Sequence, residues 1–216
     1  MSKDTNIINA LNDHGNIEII EKTTPFKGYF QVDSYRFSHS LFEGGMSREI
    51  VREVFERGHA AAVLLYNAST DEVILIEQFR VGAYAAQMAP WLLEVVAGII
   101  EPGETAEDLA HREVMEESGC KIGQLEKIGN FLMTPGGSSE TITLFCGEVL
   151  DQEIKNSYGL DHEGEDIRTH ILKAAESFEL LRTGKVTNAI TAIALQWLEL
   201  NNDRIRTKWS SDQVSK

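Results

Sequence analysis

The chain has 216 residues, a formal net charge of −14 and 42% hydrophobic residues. That length provides for one full domain plus a smaller one, and the apolar content excludes a disordered chain. The acidic balance argues against nucleic acid as a partner, and an anionic substrate would need cations supplied locally.

Residues 1 to about 16 are polar, lack the apolar centre of a secretory leader, and read as a frayed start. Ile17–Ile20 reads as a short strand, with Pro25 and Gly28 marking a turn. Tyr35, Phe37, His39 and Leu41 alternate with Ser34, Arg36, Ser38 and Ser40, the pattern of a half-buried strand. Glu43-Gly44-Gly45 turns the chain into a further strand from Ser47 to Glu56. So few strands do not stand alone. Residues 1–57 are therefore expected to form a small antiparallel β subdomain, followed by a main domain over residues 58–200.

In that domain Ala60–Tyr66 and Val73–Phe79 read as strands joined by a turn at Asn67–Asp71. A loop with Gly82 and Pro90 leads to a strand over Trp91–Ala97. The apolar runs are too short to span a bilayer. Cys120 and Cys146 have neither a metal spacing nor the density of a disulfide scaffold, so both are expected to be reduced. The protein is accordingly expected to be soluble and cytoplasmic, with no membrane partner.

The stretch Gly98–Cys120 is the most informative. Thr105 can cap a helix with Asp108 answering three residues on, Glu107 and Asp108 suit its positive end, and Gly119 offers a left-handed stop. Ala106, Leu109, Ala110 and Val114 share one face, and Glu113 and Glu117 fall in the middle of it. Adjacent buried carboxylates are costly unless a cation lies between them, and Mg²⁺ is the hard oxygen-seeking candidate. Glu104 and Arg112 lie within reach to hold these ligands from behind, and Glu116 flanks the same face. Gly98 and Gly103 read as turn residues that also allow close backbone approach.

Beyond this helix, Leu125–Met133, Thr141–Val149 and Ile167–Leu172 read as strands. A loop at residues 156–166 gathers Asp161, His162, Glu163, Glu165 and Asp166 between possible glycine hinges, and a long loop in a compact domain is commonly functional. Helices over Ala174–Arg182 and Asn188–Leu200 follow, the second carrying an apolar stripe from Ile190 to Leu198. Residues 201–216 read as a polar, mobile tail. Strands between helices give an α/β class with α/β/α layers.

The order Gly98, Glu104, Arg112-Glu113-Val114-Met115-Glu116-Glu117-Ser118-Gly119 resembles the signature box of the Nudix hydrolases, with Cys120 where that pattern has Ile, Leu or Val. Pro135, fifteen residues after Cys120, and the segments 55–60, 75–80, 91–94 and 134–137 are similar to the bacterial ADP-ribose pyrophosphatase subfamily. The resemblance implies the Nudix fold, a mixed-sheet α/β/α sandwich, and Mg²⁺-dependent cleavage of ADP-ribose to AMP and ribose 5-phosphate, with Mn²⁺ as a possible substitute. It implies that Glu113, Glu117, the carbonyl of Ala97 and, with substrate bound, Glu165 are metal ligands, and that Glu163 is the general base. His162 has a suitable ordinary pKa for that role and is the lesser candidate. The resemblance further implies a homodimer with exchanged N-terminal strands and shared active sites. Tyr29, Phe30, Arg52, Glu53, Arg80, Ile99, Thr134, Pro135, Gly136 and Glu140 would then line the substrate. Two alternatives remain: another nucleotide sugar such as GDP-mannose, or a non-catalytic ADP-ribose sensor, which would have no need of the metal carboxylates.

Overall fold

The computed structural model describes residues 15–151, 158–159 and 164–213. The expected frayed start lies almost wholly outside them, as do Asp161, His162 and Glu163. The chain divides into two compact units, Met1–Arg57 with Thr134–Glu140, and Gly58–Met133 with Thr141–Lys216.

The first unit is a three-stranded antiparallel sheet of β1 (Ile17–Lys27), β2 (Gln31–His39) and β3 (Ile50–Glu56), in that order. β1 runs well past the expected Ile20 and through Pro25. Proline is tolerated there because β1 is an edge strand and its register shifts between Thr23 and Phe26, where no ladder hydrogen bond is lost. The turn follows at Gly28, whose N–H donates to the carbonyl of Phe30 (2.8 Å). Residues 134–140 join this unit through Phe55, which donates from its N–H to the Gly137 carbonyl (2.8 Å). Among the described residues of the unit the buried ones are all polar: Asp33, Ser38, Ser138 and Glu140. Asp33 accepts from Thr24 Oγ1 (2.7 Å) and Gln31 Nε2 (2.7 Å) and pairs with Lys22 Nζ (2.8 Å).

The second unit is a mixed seven-stranded sheet. Its strands are β4 (Ala60–Asn67), β5 (Glu72–Phe79), β6 (Trp91–Glu94), β7 (Val96–Ile99), β8 (Lys121–Leu132), β9 (Thr141–Asp151) and β10 (Arg168–Lys173). The main path is β10-β5-β4-β9-β8, β4 and β9 are parallel, and β6 and β7 pair with β5 and β4. The continuous apolar runs of β4 and β5 have a simple cause: both faces are covered. Ala62, Leu64, Tyr66, Val73 and Leu75 point into a core with α3 (Ala174–Arg182) and α4 (Ala189–Gln213). Ala61, Val63, Leu65, Ile74 and Ile76 point into a second core with α2 (Ala106–Ser118). These are the layers of an α/β/α sandwich. A short helix α1 (Val81–Ala85) occupies what the sequence suggested was loop.

Two expectations are corrected. Trp91–Ala97 is two strands rather than one, because Val95 leaves the ladder and its N–H donates instead to Thr191 Oγ1 (3.1 Å). The polar tail from residue 201 is helix as far as Gln213. Leu198, Asn202, Ile205 and Trp209 continue one helical face; Leu198, Ile205 and Trp209 are fully buried, and Asn202 Nδ2 donates to Tyr66 Oη (3.1 Å) and Asp71 Oδ1 (3.1 Å). The charged residues between them hid that stripe. No helix of the described residues is long and apolar enough to cross a membrane.

Candidate active site

The site is built on α2 and the strand beneath it. Thr105 Oγ1 accepts from the Asp108 N–H (3.1 Å) and Asp108 Oδ2 from the Thr105 N–H (3.3 Å), a reciprocal cap that fixes where the helix begins. Gly119 ends it at φ 65°, its N–H donating to the Met115 carbonyl (3.1 Å). A Cβ at Gly119 would also lie 2.7 Å from the Tyr158 ring.

Between these ends the apolar face packs on the sheet and carries Glu113 and Glu117 with it. Glu117 is 3% exposed, and Glu117 Oε2 accepts from the Ala97 N–H (3.3 Å). Glu113 lies against Gly98, where a Cβ would fall 2.0 Å from Glu113 Oε1. Gly98 is therefore not a turn residue. It lies inside β7 and is bare because a carboxylate occupies the space of its side chain. Gly103, at φ 90°, does serve a turn.

Burial first, then the neighbouring charge of Glu113, pushes the Glu117 carboxyl up to about 8. Burial likewise raises Glu113 to about 7, against the opposing pull of Arg112. Glu165 adds negative charge at both. Arg112 ties the outer carboxylates together. It donates from Nε to Glu104 Oε1 (3.0 Å), from Nη2 to Glu104 Oε2 (3.3 Å), and from Nη1 to Glu113 Oε1 (2.9 Å) and Glu116 Oε2 (3.0 Å). Glu104 is itself held by the Glu101 N–H (3.1 Å). Across the sheet, Arg80 Nε donates to Glu94 Oε2 (2.8 Å).

Glu165 lies two residues before Ile167, which exchanges backbone hydrogen bonds of 2.9 and 3.1 Å with Tyr158. Gly159 (φ 104°) makes room for it, since a Cβ there would lie 2.8 Å from Glu165 Cβ. The second unit thus gathers Ala97, Glu104, Arg112, Glu113, Glu116, Glu117 and Glu165 around one helix. Arg80 and Ile99 belong to this unit too, Ile99 at the end of β7. Tyr29, Phe30, Arg52, Glu53, Thr134, Pro135, Gly136 and Glu140 belong to the first unit. There Tyr29 meets Phe30 edge-on at 4.8 Å, Arg57 covers the Phe30 ring at 5.5 Å, and Glu140 pairs with Arg57 Nε (3.3 Å). Arg52 Nη1 donates to the Val51 carbonyl (2.7 Å).

A buried and a half-buried carboxylate that both disfavour their own charge fit a divalent cation. Among the described residues no three His, Cys, Asp or Glu side chains already form a cage. Mg²⁺ asks for less: one or two carboxylates, with waters and substrate phosphates completing its shell.

The NUDIX domain model matches residues 56–189. This chain belongs to the Nudix family. The Nudix chain is 45% identical over 194 residues to the ADP-ribose pyrophosphatase of Escherichia coli (strain K12), a match covering 90% of this chain and 93% of that one. It is 31% identical over 187 residues to the GDP-mannose pyrophosphatase of Shigella flexneri serotype 5b (strain 8401), covering 86% and 96%. A crystal structure of an ADP compounds hydrolase shares its fold at a TM-score of 0.65 with 22% identity, covering 85% of this chain and 95% of the other.

The cradle at Gly98 makes a testable demand on this Nudix protein. Gly98→Ala places a methyl group inside the Glu113 carboxylate, which must move by an ångström or more. Misplacement on that scale costs on the order of 10²-fold in rate, so kcat should fall by that order while the variant still unfolds cooperatively. A Gly98→Ala enzyme with wild-type kcat would show that Glu113 need not lie over β7.

Proposed function

We propose that this Nudix protein hydrolyses ADP-ribose to AMP and ribose 5-phosphate, using Mg²⁺, with Mn²⁺ able to substitute. The observation that carries the reading is the pair of buried Glu117 and half-buried Glu113 held against Ala97 and Gly98. The higher identity to an ADP-ribose pyrophosphatase than to a GDP-mannose pyrophosphatase favours ADP-ribose. An ADP-ribose sensor without catalysis is disfavoured, since binding alone would not require one carboxylate to be buried beside another at this cost.

Glu113, Glu117 and the Ala97 carbonyl would hold the metal, with Glu165 joining them when substrate is present. When bound, the ion would supply charge neutralisation for the diphosphate and a more acidic water. Arg112 fixes the rotamers of Glu113 and Glu116, with Glu104 bracing Arg112 from the other side. Glu163 takes the proton from the attacking water, whose oxygen bonds to phosphorus as the bridging P–O bond of the diphosphate breaks. Arg80 donates to phosphate oxygens in a planar fork that suits them. Ile99 packs beside the substrate. Both cysteines are buried and unpaired, which suits a reducing, cytoplasmic setting.

The working unit in this reading is a homodimer with shared sites. Support comes from the first unit's sheet, whose buried described residues are all polar while Ile17, Ile19, Phe26 and Val51 are exposed. Such a sheet needs an apolar surface to cover. Tyr29 then stacks near the adenine with Phe30 among the substrate contacts, the partner's Arg52 and the partner's Glu53 reach the substrate, and Thr134, Pro135, Gly136 and Glu140 line its ribose end.

Three experiments test these statements. Glu113→Gln and Glu117→Gln should each lower kcat/KM for ADP-ribose by about 10²-fold or more, as loss of a metal's charge stabilisation is several kcal/mol. In the wild type, ADP-ribose should lead a panel that includes GDP-mannose; a panel led by GDP-mannose overturns the substrate, and active Gln variants overturn the metal site. For the dimer, inactive Arg52→Ala and Glu163→Gln chains are co-refolded. Half the dimers are mixed and each has one intact site, so roughly a quarter of wild-type activity should return. Mixed dimers no more active than their parents would exclude a shared site.

A further inference from the structure

Glu94 closes β6 within an otherwise apolar run, yet it is only 5% exposed. A buried carboxylate needs partners for both oxygens. Glu94 Oε2 accepts from Arg80 Nε (2.8 Å) and Glu94 Oε1 from Asn188 Nδ2 (2.6 Å). Asn188 cannot turn to offer anything else. Its Oδ1 accepts from the Thr191 N–H (3.1 Å) and Thr191 Oγ1 (3.2 Å), so it caps the start of α4. Thr191 Oγ1 in turn accepts from the Val95 N–H, at the break between β6 and β7. One helix terminus thus braces both Glu94 and the strand that leads to Ala97 and Gly98.

Arg80 is held equally firmly at its backbone. Its N–H donates to the Pro90 carbonyl (2.7 Å), and its own carbonyl accepts from the N–H groups of Ala83 (3.1 Å) and Tyr84 (3.3 Å). With Nε engaged by Glu94, the two terminal nitrogens of Arg80 have no protein partner among the described residues, and its side chain is 44% exposed. A fork fixed at Cα and at Nε, with its four remaining N–H groups open, suits the oxygens of a diphosphate.

We infer that Glu94 is a positioning residue for the diphosphate: anchored by Asn188, it aims the free edge of the Arg80 guanidinium at the substrate's phosphate oxygens. This rests on the reading of Arg80 as a phosphate donor given above. The role requires a carboxylate. A glutamine has one acceptor and one donor group, and its NH₂ would face either Arg80 Nε or Asn188 Nδ2, both donors. Glu94→Gln therefore keeps the size of the side chain and loses the clamp.

The test is a double-mutant cycle on ADP-ribose with saturating Mg²⁺: wild type, Arg80→Ala, Glu94→Gln and the double variant, each checked for cooperative thermal unfolding. Arg80→Ala should lower kcat/KM by about 10²-fold and Glu94→Gln by about 10-fold, in line with loss of charge-assisted hydrogen bonds. The double variant should be no worse than Arg80→Ala alone, because Glu94 acts only through Arg80. If Glu94→Gln does not fold, Asn188→Ala removes the same clamp from its other side and takes its place in the cycle. An Arg80→Ala enzyme with wild-type kcat/KM removes the phosphate-donor reading and this inference with it. A crippled Arg80→Ala beside a fully active Glu94→Gln, or losses that multiply in the double variant, overturns the role of Glu94 alone.

Discussion

Two carboxylates share the apolar face of one helix, and much of the second unit is arranged around that cost. Glu113 and Glu117 could not be brought under α2 without a bare Cα at Gly98 and a backbone donor at Ala97. The two strands that begin and end at Val95 serve the same end: β7 leaves the register of β6 and passes directly beneath the helix. Arg112 balances the outer edge of the cluster through Glu104 and Glu116, but it reaches only Glu113 of the inner pair. Among the described residues Glu117 is left with a single backbone donor, and with a raised pKa, a state that a divalent cation relieves.

The helix itself was legible in the sequence because its signals are local. Thr105 and Asp108 cap each other within one turn, Gly119 ends the helix, and the positions of Glu113 and Glu117 follow from helical geometry alone. The strands of the second unit were legible for a similar reason, as β4 and β5 are apolar on both faces. What failed was a set of details decided across the fold. Proline 25 reads as a breaker until β1 is known to be an edge strand with an irregular register there. Gly98 reads as a turn until a carboxylate is found in the place of its Cβ. The stripe Leu198, Ile205 and Trp209 is diluted by charged neighbours, and only the core it fills reveals it. Glu94 offered a signal that went unused: a lone carboxylate in an apolar run is rarely buried without a specific partner.

The first unit follows different physics. Its sheet is held by backbone ladders and by the buried carboxylate of Asp33 with its three partners, rather than by an apolar core among its described residues. Residues 134–140 return to it from far along the chain and meet Phe55 as a parallel bridge. No sequence pattern announces such a return. The same seven residues include all four expected ribose-end contacts, so a loop assigned by resemblance to the substrate also stabilises this sheet.

The claim on which the account turns is that Glu113 and Glu117 are built for a divalent cation. Calorimetric titration of the metal-free protein with Mg²⁺, repeated in buffers of different ionisation enthalpy, reads it directly. Carboxyl groups at about 7 and about 8 carry protons near pH 7, and a cation must displace them. The account predicts net proton release at pH 7 that fades as the pH rises above about 8, and weaker Mg²⁺ binding in Glu117→Gln. Binding at pH 7 with no proton release, and with an affinity unchanged in Glu117→Gln, would contradict it.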